Sequence, residues 1–145
     1  MRICTVRFGA RDGVTRLLVT SAAGPLRVVR AEAGPVCDAV VVQTRGGLCA
    51  GDRWLLDVEV TDGARVRLRA AGATILHSGP AGCRTRLRVT GGARLSYRAR
   101  GVIAMPGATG VAVTVVEAEP GCRVAVSEIL APVAGWVLRS RLLVR

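Results

Sequence analysis

Apolar and polar residues alternate along three similar segments of the chain. Each segment is a short alternating strand, a turn that contains glycine, and a second alternating strand. The segments align without gaps and span residues 58–68, 87–97 and 116–126. Their turn glycines, Gly63, Gly92 and Gly121, are equally spaced along the chain. A period of two residues is typical of β-strands that bury one face and expose the other to water.

The alternation sorts the side chains onto two faces. After the first turn, the apolar face holds Ala64, Val66, Leu68 and Ala70, and the polar face holds Arg65, Arg67 and Arg69. Asp-Gly, Gly-Gly and Pro-Gly are turn dipeptides, so each segment is expected to form a hairpin. A single hairpin cannot bury its apolar face, so equal spacing and equal facing predict layers that stack on one another. We therefore predict an all-β fold, a stacked or helical arrangement of antiparallel strands and hairpins with a repeat of about 29 residues.

The rest of the chain also has the pattern of short strands. Four strands are predicted before the repeat and one after it, at residues 3–8, 15–20, 26–30, 39–44 and 137–145. Turns that contain glycine separate the first four. No linker or low-complexity run interrupts the sequence, so residues 1–145 are expected to form a single domain.

The composition adds a basic surface to this picture. The formal net charge is +11, and all 21 basic residues are arginine. Three arginine stripes are predicted on the outer faces of adjacent strands, at Arg65/Arg67/Arg69, Arg84/Arg86/Arg88 and Arg94/Arg98/Arg100. Codon bias with ordinary surface charge is one explanation, and a docking face for an acidic protein or a nucleic acid is the other. Nucleic acid has no support beyond the charge, since the sequence offers neither exposed aromatic residues nor a reading helix.

Cysteine usage indicates the compartment. The five cysteines are an odd set without a Cys-x-x-Cys pair, at positions 4, 37, 49, 83 and 122. Met1 is not followed by the apolar region of a secretion signal. Reduced thiols in the cytoplasm are therefore expected. The longest aliphatic run, residues 39–42, is too short to cross a bilayer, so no membrane contact is predicted.

The sequence shows no catalytic constellation. His77 is the only histidine and has no acid or nucleophile in a recognisable motif beside it, so no enzyme activity is expected. The loop 45–52 is rich in glycine but lacks the Gly-Lys-Ser/Thr ending of a phosphate-binding loop. Cys49 and Asp52 flank a turn in this loop, and Cys83 lies six residues after His77, but these spacings are only weak evidence for a metal site. An ordinary turn or strand role is the alternative for each of these residues.

Four short motifs occur in a recognisable order. The first is the glycine loop, which contains Gly46, Gly47, Gly51 and Asp52, and the second is Gly72-Ala73-Thr74. The third runs from Gly92 to Tyr97 and on to Ile103, Gly107 and Ala108, and the fourth is Ser127-Glu128-Ile129-Leu130. In their order and spacing the motifs resemble the urease accessory protein D family (UreD, called UreH in some bacteria) over residues 24–135. Ile75 and His77 stand where that family has lysine and tyrosine.

The resemblance implies a fold, a role and a set of partners. It implies a helical pile of β-strands, in agreement with the repeat, and a scaffold without enzyme activity. Family members join accessory proteins F and G, the latter a GTPase, on the urease apoprotein and assist the insertion of nickel. No permanent cofactor is implied, and nickel is expected only in transit through the interior of the protein. Asp52 and Glu128 are the matched candidates for contact with nickel, and Cys49 and His77 are the unmatched ones.

The family continues for about as long again beyond the point that matches the end of this chain. Residues 1–145 are therefore expected to form one UreD-like β domain without the C-terminal portion of the family. A short divergent member, a fragment, and a protein that relies on a partner strand are the three explanations. The rival function is that of a basic β-module that binds nucleic acid or an acidic protein surface.

Overall fold

The computed structural model describes the backbone of residues 1–131 and 138–144, and the side chains of residues 1–129. This part of the chain forms β1 (Arg2–Arg11), β2 (Val14–Ala22), β3 (Leu26–Glu32), β4 (Cys37–Gln43), β5 (Arg53–Val60), β6 (Arg65–Ala70), β7 (Ala73–Leu76), β8 (Gly79–Val89), β9 (Arg94–Arg98), β10 (Gly101–Ala104), β11 (Ala108–Ala118), β12 (Arg123–Ser127), β13 (Leu130–Ala131) and β14 (Leu138–Val144). The described residues include no helix that is long and apolar enough to cross a bilayer.

The strands form three sheets that the chain visits in turn. Sheet A has the order β14-β11-β8-β5-β1-β2, sheet B the order β12-β9-β6-β4-β3, and sheet C the order β13-β10-β7. From β5 onwards, each coil of the chain adds one strand to sheet A, one to sheet B and one to sheet C before it returns to sheet A. The fold is therefore a β-solenoid, in which each coil covers the apolar face of the coil before it.

Neighbouring coils pair in parallel and in register. Val58 of β5 lies beside Leu87 of β8, and Leu87 lies beside Val116 of β11, so each residue meets its equivalent in the next repeat. In sheet B, Val66 lies beside Leu95, and the two are separated in sequence by the same interval. The prediction of an all-β fold with stacked repeats is confirmed.

The strands on either side of each turn glycine do not pair with each other, as a hairpin would require. They belong to different sheets, and the turn between them is a corner of the coil. At the first corner, Asp62 and Gly63 have φ angles of 56° and 68°, and the Ala64 amide donates to the Thr61 carbonyl at 3.0 Å. Two-residue hairpins use the same left-handed conformation. The predicted hairpins of the repeat are therefore corrected to corners, because the turn residues are compatible with both.

Antiparallel pairing does occur before the repeat. β1 pairs with β2 across the Asp12-Gly13 turn, and β3 pairs with β4. The four strands predicted in this region are confirmed; the first three are longer than predicted, and the fourth begins two residues earlier and ends one residue earlier. β14 covers residues 138–144 of the strand predicted at 137–145, and residues 137 and 145 lie outside the described part.

Aliphatic side chains fill the space between the sheets. The largest fully buried side chains include Val6, Phe8, Val41, Leu48, Val58, Val60, Leu68, Leu87 and Val89. The Ala64–Val66–Leu68 face is buried, and Arg65, Arg67 and Arg69 are exposed, as the alternation predicts. Burial of this apolar area is the main source of stability in such a core.

Opposite charges pair across the outer face of sheet A. Asp57 of β5 accepts two hydrogen bonds from Arg86 of β8, at 2.9 and 2.6 Å, and Arg88 lies 3.6 Å from the same carboxylate. Glu59 accepts a hydrogen bond from Arg7 of β1 at 2.8 Å. The Asp57 side chain is only 10% exposed, and the hydrogen bond from Arg86 holds its pKa below the ordinary value of 3.8. Two arginines of the second predicted stripe are thus neutralised by the neighbouring strand.

Gly92 provides a test of the corner geometry. It has a φ angle of +70°, and a Cβ built on it would meet no atom within 4 Å. We therefore expect Gly92→Val to lower the free energy of unfolding through backbone strain alone, by about 1–2 kcal/mol. Gly92→Asn is the matched control and should cost less, because Asn tolerates this conformation. Thermal unfolding followed by circular dichroism measures both, and a valine variant as stable as the wild type would show that Gly92 does not set the corner.

Candidate functional site

The interior of the solenoid becomes polar from one coil to the next. Cys4, Leu56, Thr85 and Thr114 form an in-register row of inward-pointing residues across sheet A. The row begins with a thiol and an aliphatic side chain and continues with two hydroxyl groups. Thr114 is only 5% exposed, and buried hydroxyl groups need hydrogen-bond partners. The later coils must therefore place polar groups opposite this row.

Those partners come from sheet B and from the segment that follows β12. Tyr97 of β9 hydrogen-bonds with Thr85, and Thr114 donates a hydrogen bond to Glu128. These four side chains border a partly open cavity of about 60 Å³, and Glu128 is exposed at its edge. A cavity of this size has room for a few water molecules or a single ion, and not for an organic substrate.

Arg100 enters this interior and does not lie on the basic exterior. Its Nη1 donates to Gln43 Oε1 at 3.2 Å, and Thr74, the last residue of the second family motif, donates to the same oxygen at 3.2 Å. The alternation predicts Arg100 in an outward stripe, and the structure corrects this placement. The reason is that β9 ends at Arg98. Beyond the end of a strand the chain turns, and the two-residue alternation no longer decides which way a side chain points.

Burial sets the protonation states at the cavity. It raises the pKa of the Cys83 thiol, so this side chain stays neutral at pH 7 and is a poor metal ligand. Burial also raises the pKa of the Tyr97 phenol and lowers the pKa of the Arg100 guanidinium. An arginine nevertheless keeps its charge in a protein, so the interior carries a fixed cation. The buried indole nitrogen of Trp54, another lining residue, has no hydrogen-bond acceptor among the described residues.

The predicted nickel contacts fall into two places. Asp52 accepts a hydrogen bond from the Cys49 amide at 2.9 Å and so closes the turn of the glycine loop. Cys49 and His77 are exposed, and His77 Nε2 lies 3.4 Å from the carbonyl oxygen of Gly46 in the same loop. Glu128 is the one candidate that borders the cavity. Within the described residues, no three or more His, Cys, Asp or Glu side chains are placed to hold a metal ion together.

The glycines of the family motifs shape turns and one close approach. Gly51 and Gly72 have φ angles of 84° and 76°. Gly47 has a φ angle of 150°, and a Cβ on it would lie 2.5 Å from the Ile75 carbonyl oxygen. That carbonyl accepts a hydrogen bond from the Leu48 amide at 2.8 Å, and Leu48 forms a parallel bridge to β7. The glycine loop, which precedes β5, therefore takes the place of a sheet C strand beside β7.

Motif matching identifies few of the residues around the cavity. Thr85, Thr114 and Gln43 belong to residue types that are common everywhere, and no local motif marks them. The repeat itself contains a signal, because Leu56, Thr85 and Thr114 occupy equivalent positions in successive coils. A change from an aliphatic to a hydroxyl side chain at one inward position of a repeat indicates where the interior becomes polar.

Known proteins are similar to this chain over most of its length. The family model described as UreD urease accessory protein matches residues 3–138. The urease accessory protein UreD of Delftia acidovorans is 34% identical over 125 residues, which cover 81% of this chain and 41% of that protein. The protein of the same name in Pseudomonas putida is 34% identical over 130 residues, or 86% of this chain and 47% of that one. The corresponding protein of Bradyrhizobium diazoefficiens is 38% identical over 98 residues, or 63% of this chain and 36% of that one.

This chain spans less than half the length of these three relatives. The family match nevertheless includes the glycine loop, all three repeat segments and the residues around the cavity. Since the match extends over most of the sequence, the chain belongs to the UreD urease accessory protein family.

Proposed function

We propose that this chain is a scaffold without enzyme activity that helps to insert nickel into the urease apoprotein, together with accessory proteins F and G. Its membership of the UreD family and the names of its relatives support the urease role. All five cysteines are free thiols, which fits the reducing environment of the cytoplasm. Nickel is the cargo in this proposal and not a resident cofactor.

The polar cavity in the later coils is the observation that carries the proposal. Thr85 and Thr114 offer neutral oxygens to a passing cation, and Glu128 offers a carboxylate. The neutral thiol of Cys83 binds metal weakly. Weak, mixed ligands suit the passage of an ion better than its storage. Asp52 and Cys49 of the glycine loop, with the neighbouring His77, form a second proposed contact region for nickel.

The surroundings of His77 support an accessory role and not a catalytic one. A general base needs a group that orients it and a substrate proton within hydrogen-bond reach. His77 is exposed, and the described residues give its ring nitrogen a backbone carbonyl as neighbour, at 3.4 Å, and no carboxylate partner. We therefore assign no bond-making step to this chain.

Co-expression tests the proposal. The tagged chain would be produced with the urease subunits and accessory proteins F and G in a host that has no urease genes of its own. We expect F and G to be retained on the tag, and we expect the purified urease to contain more nickel than urease made without the chain. Loss of both partners, with salt-sensitive binding to random DNA instead, would contradict the urease role and favour the nucleic-acid alternative.

Glu128→Gln tests the route through the interior. The substitution removes the negative charge but keeps an oxygen that accepts the hydrogen bond from Thr114. We expect the nickel content of urease to fall severalfold, while retention of F and G and the melting temperature stay unchanged. Glu117→Gln is the matched control, because Glu117 lies on the outer face of β11 beside Arg88. If urease made with the Glu128→Gln variant contains as much nickel as urease made with the wild type, and both partners are retained, then nickel insertion does not depend on this cavity.

A further inference from the structure

One outer face of the solenoid carries arginines in rows. On sheet B, Arg65, Arg94 and Arg123 lie side by side on β6, β9 and β12, because the parallel register places each beside the next. Arg69 and Arg98 form a second row further along the same strands. All five are exposed, and neighbouring strands are about 4.8 Å apart. We call these five residues the arginine face.

On β9 and β12, small side chains separate the two rows. Ser96 and Ala125 occupy the positions between them on β9 and β12. An open groove crosses the strands at this point and is bordered by Arg94 and Arg123. The rows are four residues apart along a strand, which corresponds to about 13 Å. The groove is lined by all three arginines of the first row and by Arg67 of β6, and the second row lies beyond it.

The arginine face is not neutralised within the described part of the molecule. None of its five residues forms an ion pair with a described side chain. Only Arg67, between the rows on β6, approaches a carboxylate, that of Asp38 at 3.7 Å. On sheet A, by contrast, Asp57 and Glu59 of the neighbouring strand form ion pairs with Arg86 and Arg88. The solenoid can thus place acidic residues beside arginine, and the arginine face lacks them.

Such rows cost stability in the isolated protein. Like charges directly opposite one another on neighbouring strands are destabilising. The guanidinium groups within each row therefore repel one another. A partner with negative charge would remove this repulsion on binding. Its carboxylates would each receive two parallel hydrogen bonds from a guanidinium group, the strongest pairing that arginine makes.

We propose that the arginine face docks an acidic segment of a partner protein, which lies in the groove with carboxylates directed to Arg65, Arg94 and Arg123. A protein fits this face better than a nucleic acid does. Phe8, Trp54 and Tyr97 are buried, so the described aromatic side chains cannot stack on bases from this face. A flat sheet also offers no helix or ribbon that could enter a DNA groove. The proposal goes beyond the urease role and does not depend on it.

Fluorescence anisotropy with three labelled probes tests the proposal. The probes are a short glutamate-rich peptide, a lysine-rich peptide of the same length and a DNA duplex. The wild type should bind the glutamate-rich peptide most tightly at physiological salt. The triple variant Arg65→Gln/Arg94→Gln/Arg123→Gln should weaken this binding by at least about tenfold. The control Arg11→Gln/Arg16→Gln/Arg53→Gln removes the same charge from exposed residues elsewhere and should change it by less than about twofold.

A single substitution separates binding from folding. Arg94→Glu places a carboxylate between Arg65 and Arg123, so it should raise the melting temperature and still abolish binding of the glutamate-rich peptide. A variant that merely unfolds would lower the melting temperature. Equal losses in the two triple variants would show that total charge governs binding, and this would overturn the proposal. Tighter binding of the duplex, lost in the first triple variant, would also overturn it by making the face a nucleic-acid site.

Discussion

Gly47→Ala should destabilise the protein by about 2–4 kcal/mol and lower its melting temperature by about 5–15 °C. The new Cβ would lie 2.5 Å from the Ile75 carbonyl oxygen and 2.8 Å from His77 Nε2, at a φ angle of 150° that side chains rarely adopt. The Ile75 carbonyl cannot move away cheaply, because it accepts the hydrogen bond of the Leu48 amide at 2.8 Å. Leu48 is fully buried, so lifting the loop would also expose part of the core.

Gly46→Ala is the matched control for this experiment. Gly46 belongs to the same loop and motif, but a Cβ on it would meet no atom within 4 Å. The free energy of unfolding of the Gly46→Ala variant should stay within about 0.5 kcal/mol of the wild-type value. His77→Ala should relieve only part of the loss at Gly47, because the closer clash is with backbone. Equal melting temperatures for the alanine variants of Gly46 and Gly47 would show that the loop does not pack closely against β7 at Gly47.

Asp57→Asn should lower the free energy of unfolding by about 2 kcal/mol at neutral pH. The substitution replaces one carboxylate oxygen by an NH₂ group, which is a hydrogen-bond donor. In the wild type Arg86 Nη2, also a donor, lies 2.6 Å from the carboxylate, so the variant places two donors opposite each other. Arg88, at 3.6 Å, loses the same negative charge. Asp57 is 10% exposed at its side chain, so water screens the loss less than it would at the surface. Urea unfolding at pH 7 measures the change.

The effect of Asp57→Asn should depend on pH in a defined direction. The folded-state pKa of Asp57 lies below its ordinary value of 3.8, because the hydrogen bond from Arg86 outweighs burial. Its stabilisation is therefore fully present above pH 3.8 and is lost as the pH falls through the folded-state pKa. The difference in the free energy of unfolding between Asp57→Asn and the wild type should stay constant from neutral to mildly acidic pH. It should become smaller at pH values below 3.8.

Asp38→Asn is the control for both measurements. Asp38 also faces an arginine on the neighbouring strand, Arg67 at 3.7 Å, but the two side chains are 52% and 67% exposed. An ion pair this open to solvent contributes little, so the variant should lose no more than about 0.5 kcal/mol. If Asp38→Asn and Asp57→Asn cost the same, then burial of the carboxylate does not determine the strength of the pair.

The sequence predicts that the repeats stack in layers, but it does not predict whether neighbouring strands pair in parallel or antiparallel. Equal coil lengths are needed for parallel strands to stay in register, so glycines at a constant spacing predict stacked layers. The direction of pairing does not follow, because the left-handed turn at Asp62-Gly63 serves a hairpin and a corner equally well. Sheet C is not predicted either. Its strands β7 and β10 have only four residues each, too few for a two-residue period to stand out.

The cavity could be predicted in part. The alternation places Tyr97 on the inward face, and its burial confirms this. Glu128 follows from the last family motif and borders the cavity. Arg100 is predicted outwards because the alternation is continued past the last residue of β9. Thr85 and Thr114 escape prediction because a threonine at an inward strand position is compatible with an ordinary core until its partners are known.

The three sheets do not repeat with the same length. Leu76 of β7 pairs with Ala104 of β10 in sheet C, and Gly79 of β8 pairs with Ala108 of β11 in sheet A, so between these two coils the step along the chain is one residue longer in sheet A. The corner between sheets C and A therefore takes up one extra residue in the later coil. Around this corner, residues 105–107 are exposed. An engineer who wishes to graft a fluorophore, an affinity tag or a foreign loop into the solenoid should insert it there, because this corner already tolerates a change in length without disturbing the ladders on either side.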